Sequence, residues 1–429
     1  MSGFQNIGLP DWLVKQCATL GFQNPTEVQK SCIPPTLSGR DVLGCAKTGS
    51  GKTAAFLIPI LTHLSRDPYG VFAVVISPTR ELACQIVDQA KVLGKPINIR
   101  VSLVCGGLDR SDQSREVSAK PHIVVATPGR LAELLKYDES VSISKIKYLV
   151  FDEADRLFED SMASCMKTII ENAPEKRQTL LYSATLTSVL QQVLKLAKNE
   201  PFQWSNDESE TTVQELDQKM IFVAPAAKDT YLVHMVKSEL EINPEAQVIV
   251  FTSSCKHCQA MSQFLHQVNV SNVALNSAMR QKLRLLSISK FKSKHARVLV
   301  TTDVGSRGLD IPDVHLVLNF NVPWDSDTYI HRVGRTARAG AAGKAITFVT
   351  PNDREKVAKI EERIKKQLEV IEIDEEEHIL PLMMEVNVGK RKSEMSLDKK
   401  DFFAKHMKYK AKKRRKLNAE SNSFAASES

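Results

Sequence analysis

The chain has 429 residues, 42% hydrophobic and 25% charged, a balance that suits a globular protein of two domains with some chain to spare. No apolar run approaches the roughly 20 residues of a membrane-spanning helix, so no membrane partner is expected. The first 13 residues lack the basic start and apolar core of a secretory leader, which predicts a reducing compartment and eight cysteines kept as free thiols. The net charge of +8 lies wholly at the C-terminus: residues 390–429 carry 13 Lys/Arg against 5 Asp/Glu, leaving 45 of each sign before them. Any nucleic acid on the body must therefore be held by a few placed cations and backbone N–H groups, because the overall charge there is zero.

In chain order, the segment Gly21-Phe-Gln-Asn-Pro-Thr-Glu-Val-Gln29 reads by itself as a helix N-cap with core packing. From residue 42 strand runs alternate with helical patterns: VLGCA and a helix from Thr53, VFAVVIS and a helix from Arg80, IVVAT and a helix from Arg130, then YLVFD and TLLYS. This rhythm predicts a mostly parallel sheet with helices on both faces. A polar, acidic stretch at residues 205–215 interrupts it as a linker. The rhythm then restarts with MIFV, VIVFT, NVALN, RVLVTT, HLVLNF and AITFVT, which implies a second α/β unit without any letter-by-letter repeat. Beyond about residue 367 the pattern fails, and the charged, lysine-rich remainder reads as a partly helical or disordered basic tail. Its cluster Lys412-Lys-Arg-Arg-Lys416 is open to three readings, a nuclear address, an RNA-binding arm or a solvated charge run.

Chemistry enters at Ala46-Lys47-Thr48-Gly49-Ser50-Gly51-Lys52-Thr53, which follows a strand and opens a helix. There a glycine-rich loop offers backbone N–H groups to phosphates, Lys52 reaches the β and γ phosphates, and the Thr53 hydroxyl binds Mg²⁺. Ala46 stands where the strict pattern has glycine. The complementary acidic half is Tyr148-Leu-Val-Phe-Asp152-Glu153-Ala-Asp155, with Asp152 holding Mg²⁺ through water and Glu153 orienting or deprotonating the attacking water. No Asn is followed by Lys, so the Asn-Lys-x-Asp signature of guanine selection is absent and a nucleic-acid motor is favoured.

The letters Asp152-Glu153-Ala154-Asp155, with further blocks in the same order, make the chain resemble the DEAD-box ATP-dependent RNA helicases over residues 4–370. The resemblance implies two tandem RecA-like domains, residues 1–204 and 216–370, joined by a linker at 205–215 and followed by a tail at 371–429. It implies that Gln29 pairs with the adenine edge, Phe22 stacks on the ring and Asp310 approaches the ribose. RNA would be gripped by Pro78, Thr79 and Arg80, by Gly106 and Gly107, and by Thr127, Pro128, Gly129 and Arg130 in the first domain. In the second domain Gln281, Arg284, Thr302 and Asp303 would do so, near Phe251-Thr252, with Asn276 where histidine is common and Gly305 where alanine is usual. Arg335 and Arg338 of His331-Arg-Val-Gly-Arg-Thr-Ala-Arg338 would act as arginine fingers on the γ phosphate. Asp155, Ser183, Thr185, Arg307 and His331 would couple ATP state to strand separation.

The implied cofactors are ATP and Mg²⁺, and the implied partner is RNA bound by a monomer. The Asp67-Pro-Tyr-Gly70 insertion and the short basic tail are similar to the nucleolar branch of that family, which implies pre-ribosomal RNA, ribosome-assembly proteins and a nuclear, nucleolar location. Two alternatives differ in class. A DNA translocase would be stimulated by DNA, and a non-catalytic ATP-gated RNA clamp would have lost Lys52, Glu153 or Arg335, all of which are present.

Overall fold

Residues 71–77 and 148–152 bury every side chain, and in the short strands they form the backbone groups are satisfied by strands on either side. The structure, a computed structural model, describes residues 3–46, 49–183, 201–205, 216–305, 314–337 and 343–400. It divides into two units.

The first is a parallel sheet of β1 (Val42–Cys45), β2 (Ala73–Ile76), β3 (Val101–Val104), β4 (Ile123–Ala126), β5 (Tyr148–Asp152), β6 (Gln178–Ser183) and β7 (Phe202–Ser205), in the order β3-β4-β2-β5-β6-β1-β7. Alternate strand residues feed two separate cores. Val75, Val150 and Leu180 pack with α1 (Asp11–Thr19), α2 (Glu27–Leu37), α3 (Lys52–Leu64) and α4 (Arg80–Leu93). Val74, Leu149 and Leu181 pack on the other face with α5 (Arg110–Ser118), α6 (Pro128–Tyr137), the short α7 (Ala154–Leu157) and α8 (Ala163–Asn172).

The second unit contains β8 (Leu216–Phe222), β9 (Val248–Phe251), β10 (Asn272–Leu275), β11 (Val298–Thr301), β12 (Leu316–Asn319), β13 (Gly343–Val349) and β14 (Glu369–Val370). Their order is β10-β11-β9-β12-β13-β8-β14, again all parallel. Adding seven to each strand number of the first sheet reproduces the second, so the tandem repeat holds strand for strand in topology although invisible in the letters. Its helices are α9 (Lys228–Ile242), α10 (Cys255–Gln267), α11 (Gln281–Lys292), α12 (Ser326–Val333), α13 (Arg354–Ile364) and α14 (Leu380–Lys400).

The last helix lies within the segment expected as tail, and it packs on α10 and α9. Ile379, Val386, Gly389 and Ser393 turn inward at heptad-like spacing, and a Cβ on Gly389 would come 2.8 Å from Val268 Cγ1. Polar ties flank this seam: Lys237 Nζ to Glu385 at 2.8 Å, Lys390 Nζ to Asp229 at 2.6 Å, and the Tyr231 hydroxyl donating to Glu375 at 2.5 Å.

Candidate functional site

In a parallel sheet every strand ends on the same edge, and the loops after those ends are where open α/β folds carry ligands. In the first unit the order of the strands sorts the singled-out residues into two groups. The ends of β1, β5 and β6 carry the phosphate-loop and acidic blocks and Ser183, whereas the loops after the adjacent β3, β4 and β2 hold the three blocks expected to grip a strand.

On the nucleotide side, Gly49 (φ 85°) and Gly51 (φ 93°) are left-handed, conformations that glycine adopts without a Cβ penalty. Gly51 caps α3, and a Cβ on it would collide with the Gln29 amide. Lys52 is buried, its ammonium donating to the carbonyls of Ala46 (2.6 Å) and Ser183 (3.2 Å), at the ends of β1 and β6. Thr53 follows, half-buried on the first turn. The buried Ser50 hydroxyl has no hydrogen-bond partner among the described residues. Lys47 and Thr48 lie outside the described residues.

Asp152 closes β5 at 3% exposure and accepts from the Glu153 N–H at 3.1 Å. Burial pushes its carboxyl up to about 7, with the Lys52 charge opposing and the neighbouring Glu153 and Asp155 reinforcing the rise. Glu153 is itself left-handed (φ 52°, ψ 53°), an uncommon state for a residue with a side chain and one that concentrates at functional sites. Ser183 is fully buried, Asp155 half-buried, and Thr185 lies outside the described residues.

Gln29 has two bonds within the unit. Its Oε1 accepts from the Thr26 N–H at 3.1 Å, completing a capping box at α2, and its Nε2 donates to the Gly51 carbonyl at 3.1 Å. The amide thus ties its own helix to the phosphate loop, and each amide atom retains one further bonding position for a base edge. Phe22 is half-buried against the same core.

On the other side, Thr79 caps α4 by accepting from the Leu82 N–H at 3.3 Å, with Pro78 before it, and the Arg80 guanidinium lies against Gly106, where a Cβ would approach it to 2.9 Å. Gly107 is left-handed at φ 91°. Thr127 and Pro128 open α6, Gly129 is exposed, and Arg130 donates to the Leu108 carbonyl (3.1 Å) and to Glu133 (3.2 Å). The three loops are thereby stitched to one another.

The second unit repeats the division. Phe251-Thr252, Gln281 with Arg284, and Thr302 with Asp303 follow β9, β10 and β11, the counterparts of β2, β3 and β4. Gln281, Arg284 and Thr302 are buried and Asp303 is exposed. Asn276 is buried, its amide 3.6 Å from Cys258 Sγ. Gly305 closes a tight turn in which a Cβ would meet Thr301 Oγ1 at 2.5 Å, so this position has no room for the usual alanine beside a β-branched neighbour. His331 is half-buried on α12, and Arg335 is buried just past its end. Arg307, Asp310 and Arg338 lie outside the described residues.

One residue of the block was passed over in the sequence. Arg332 is 1% exposed, its Nε bonds Asp303 at 2.6 Å, its Nη1 donates to the Asn321 carbonyl at 2.8 Å, and its guanidinium lies over the Phe251 ring at 5.1 Å. It joins the ends of β9, β11 and β12, and the signal was its place between His331 and Arg335.

Comparison with known proteins agrees with this arrangement. The family model described as DEAD/DEAH box helicase matches residues 26–193, and that described as Helicase conserved C-terminal domain matches residues 228–340. The chain is 49% identical over 405 residues to the probable ATP-dependent RNA helicase DDX49 of Mus musculus, covering 94% of this chain and 84% of the relative. It is 46% identical over 370 residues to DEAD-box ATP-dependent RNA helicase 36 of Arabidopsis thaliana, covering 86% and 75%. Among solved structures, a point variant of S. cerevisiae Dbp5 bound to RNA and ADP BeF3 matches with TM-score 0.79 and 26% identity over 90% of this chain and 100% of that one. Mss116p bound to single-stranded RNA and AMP-PNP matches with TM-score 0.77 and 31% identity over 87% and 79%. The chain belongs to the DEAD/DEAH box helicase family and is an ATP-hydrolysing enzyme of that family, an ATP-dependent helicase built on tandem RecA-like units.

Proposed function

We propose that this helicase works on RNA, binding ATP with Mg²⁺ on the first unit and coupling hydrolysis to local unwinding of short duplexes or remodelling of RNA–protein complexes. One observation carries the reading: in both sheets the strand-gripping residues follow the same three adjacent strands, so one unit's track has a counterpart in the other. The relatives named as RNA helicases and the RNA-bound neighbours support it.

The residues fit the nucleotide. Gly51 is left-handed and packs so closely on the Gln29 amide that a Cβ would not fit, which keeps the backbone of the loop close to its neighbours, and the Ser50 hydroxyl, without a hydrogen-bond partner among the described residues, is a donor for an acceptor such as a phosphate oxygen. Thr53 and Asp152 are the hard oxygen donors that suit Mg²⁺, which when bound neutralises phosphate charge. Lys52 exchanges its carbonyl partners for the β and γ phosphates, and Glu153 takes the proton of the attacking water. Hydrolysis on the first unit depends on Arg335 and Arg338 of the second, and RNA and ATP favour each other by linkage. Gln29, Phe22 and Asp310 select the nucleoside, while Asp155, Ser183, Thr185, Arg307 and His331 carry the coupling.

Within the cell we assign the enzyme to ribosomal RNA processing in the nucleolus, acting as a monomer on pre-ribosomal RNA beside assembly proteins. The basic cluster at Lys412–Lys416 and the Asp67–Gly70 insertion support this. Comparing the full chain with one ending at residue 400, which leaves α14 in place, tests it: cytoplasmic retention of both would contradict it. For the biochemical reading, single-stranded RNA should raise ATP turnover several-fold and DNA of the same sequence should not. Glu153→Gln should retain ATP and RNA binding without turnover. Equal stimulation by DNA would refute the RNA assignment.

A further inference from the structure

Outside the residues already discussed, a concavity of about 520 Å³ lies between α5 and the turn that ends α6. Arg110 and Arg115 line it together with the hydroxyls of Ser114, Ser118 and Ser140 and the carboxylate of Asp138. The carboxylate is fixed from three sides: the Ser114 hydroxyl bonds Oδ2, and Ser140 bonds Oδ1 through its N–H (3.1 Å) and its hydroxyl (2.6 Å). These bonds hold the carboxyl below its usual range, which keeps it an ionised acceptor. Beside the concavity, Tyr137 is 58% exposed, with the Arg110 guanidinium 5.8 Å and the Lys136 ammonium 5.5 Å from its ring centre.

The arginines are held loosely. Arg110 meets Glu133 at 3.5 Å and Arg115 meets Asp112 at 3.7 Å, both long, exposed pairs of the kind that contribute little and exchange readily for a phosphate. The concavity also adjoins the proposed RNA track, because Glu133 bonds Arg130 as well as Arg110, and Arg130 donates to the Leu108 carbonyl just past Gly107.

We infer that this concavity is an auxiliary subsite for single-stranded RNA, taking the nucleotide that continues the strand past the Gly106-Gly107 loop. Its three chemistries match the three parts of a ribonucleotide: guanidiniums for the phosphate, the Tyr137 ring for a base face, and the Asp138 carboxylate for the 2′-hydroxyl, which DNA lacks. A simple anion would be opposed by Asp138, and a phosphopeptide would leave both the carboxylate and the ring unused. The volume is on the scale of a small ligand and excludes a duplex. The inference rests on the RNA reading above.

The test uses the full chain with a non-hydrolysable ATP analogue and labelled single-stranded RNA of two lengths, roughly six and roughly twelve nucleotides, read by fluorescence anisotropy. Arg110→Gln/Arg115→Gln should weaken the longer strand about tenfold and lower its salt slope by about 1.4, the loss of two phosphate contacts on a single strand. Its affinity for the shorter strand, and the ATP turnover that strand stimulates, should match wild type, which also shows the variant to be folded. Asp138→Asn should reduce the preference of the longer strand for ribose over deoxyribose in its distal nucleotides. Unchanged binding of the longer strand, or equal weakening of both lengths, would overturn the subsite while leaving the RNA reading intact. Wild-type protein that binds neither length would overturn the RNA reading and the subsite together.

Discussion

The role proposed for Asp152 at the Mg²⁺ predicts that nucleotide binding is a proton-linked event. The Asp152 carboxyl, pushed up to about 7 by burial, keeps its proton far above the usual carboxylate range, whereas a carboxylate must be ionised to hold Mg²⁺. ATP–Mg²⁺ should therefore release protons as it binds, and affinity should fall by up to roughly tenfold for each pH unit once the carboxyl is protonated. The same shift has a stability consequence of definite sign. Between the ordinary value of 3.8 and about 7 the folded state keeps a proton that the unfolded state has lost, so Asp152 makes the nucleotide-free protein less stable as pH rises through that window. The full cost of ionising it in place is on the order of 4 kcal/mol above pH 7, reached once the carboxylate is charged without a cation. Asp152→Asn removes that cost, so it should raise the melting temperature at about pH 8 and have little effect at about pH 4, while abolishing Mg²⁺-dependent hydrolysis. Calorimetric titration with ATP–Mg²⁺ in two buffers of different ionisation enthalpy measures the proton count directly. Equal proton release by wild type and Asp152→Asn, or a melting temperature of Asp152→Asn that tracks wild type at both pH values, would refute the argument.

Gly51→Ala forces a Cβ into the left-handed cap of α3 and against the Gln29 amide, so it should cost about 2–3 kcal/mol from strain and the lost Gln29–Gly51 bond. A fluorescent ATP analogue should bind it at least tenfold more weakly; wild-type affinity would contradict the cradle. Arg332→Met takes the buried cation away from Asp303 and loosens the ends of β9 and β11, so RNA-stimulated turnover should fall well below wild type while ATP affinity stays within a few-fold. An unaltered RNA response would remove Arg332 from the positioning role. Gly389→Leu should unseat α14 from Val268 at a cost of about 1–3 kcal/mol, visible as a lower melting temperature; an unchanged melt would mean that the helix does not stabilise the second unit.

Legibility followed burial. YLVFD and VIVFT are buried on both faces and read directly as the strands β5 and β9. The runs that went unread, at β3, β7 and β14, are all edge strands: β3 alternates Val-Ser-Leu-Val with Ser102 bonded to Glu116, and β7 is half exposed throughout. Side chains that face outward dilute the apolar signal of these three, whereas the edge strand β10, mostly buried, was read. The tail was read as partly helical or disordered, and what that reading missed is that helix α14 packs on the second unit, because its inward seam uses Gly389 and Ser393 where larger residues would have marked a core face. The expected phosphate and acidic loops stood out because each follows a strand run that announces itself, β1 and β5, whereas Gly106-Gly107 follows the unread β3 and was marked by its turn residues alone. Arg332 was marked only by its place between His331 and Arg335, because the partners of a buried cation that come from three different strands are not visible in the letters. The bond from Gln29 to Gly51 spans 22 residues and is likewise a product of the fold.

Hydrolysis in the first unit is proposed to require cations of the second. ATP turnover at saturating single-stranded RNA, measured for Arg335→Ala beside wild type with ATP affinity monitored in parallel, addresses this directly. A fall of about 10³-fold or more in kcat with ATP binding retained is the expected result. RNA-stimulated turnover equal to wild type would show that the first unit hydrolyses ATP unaided.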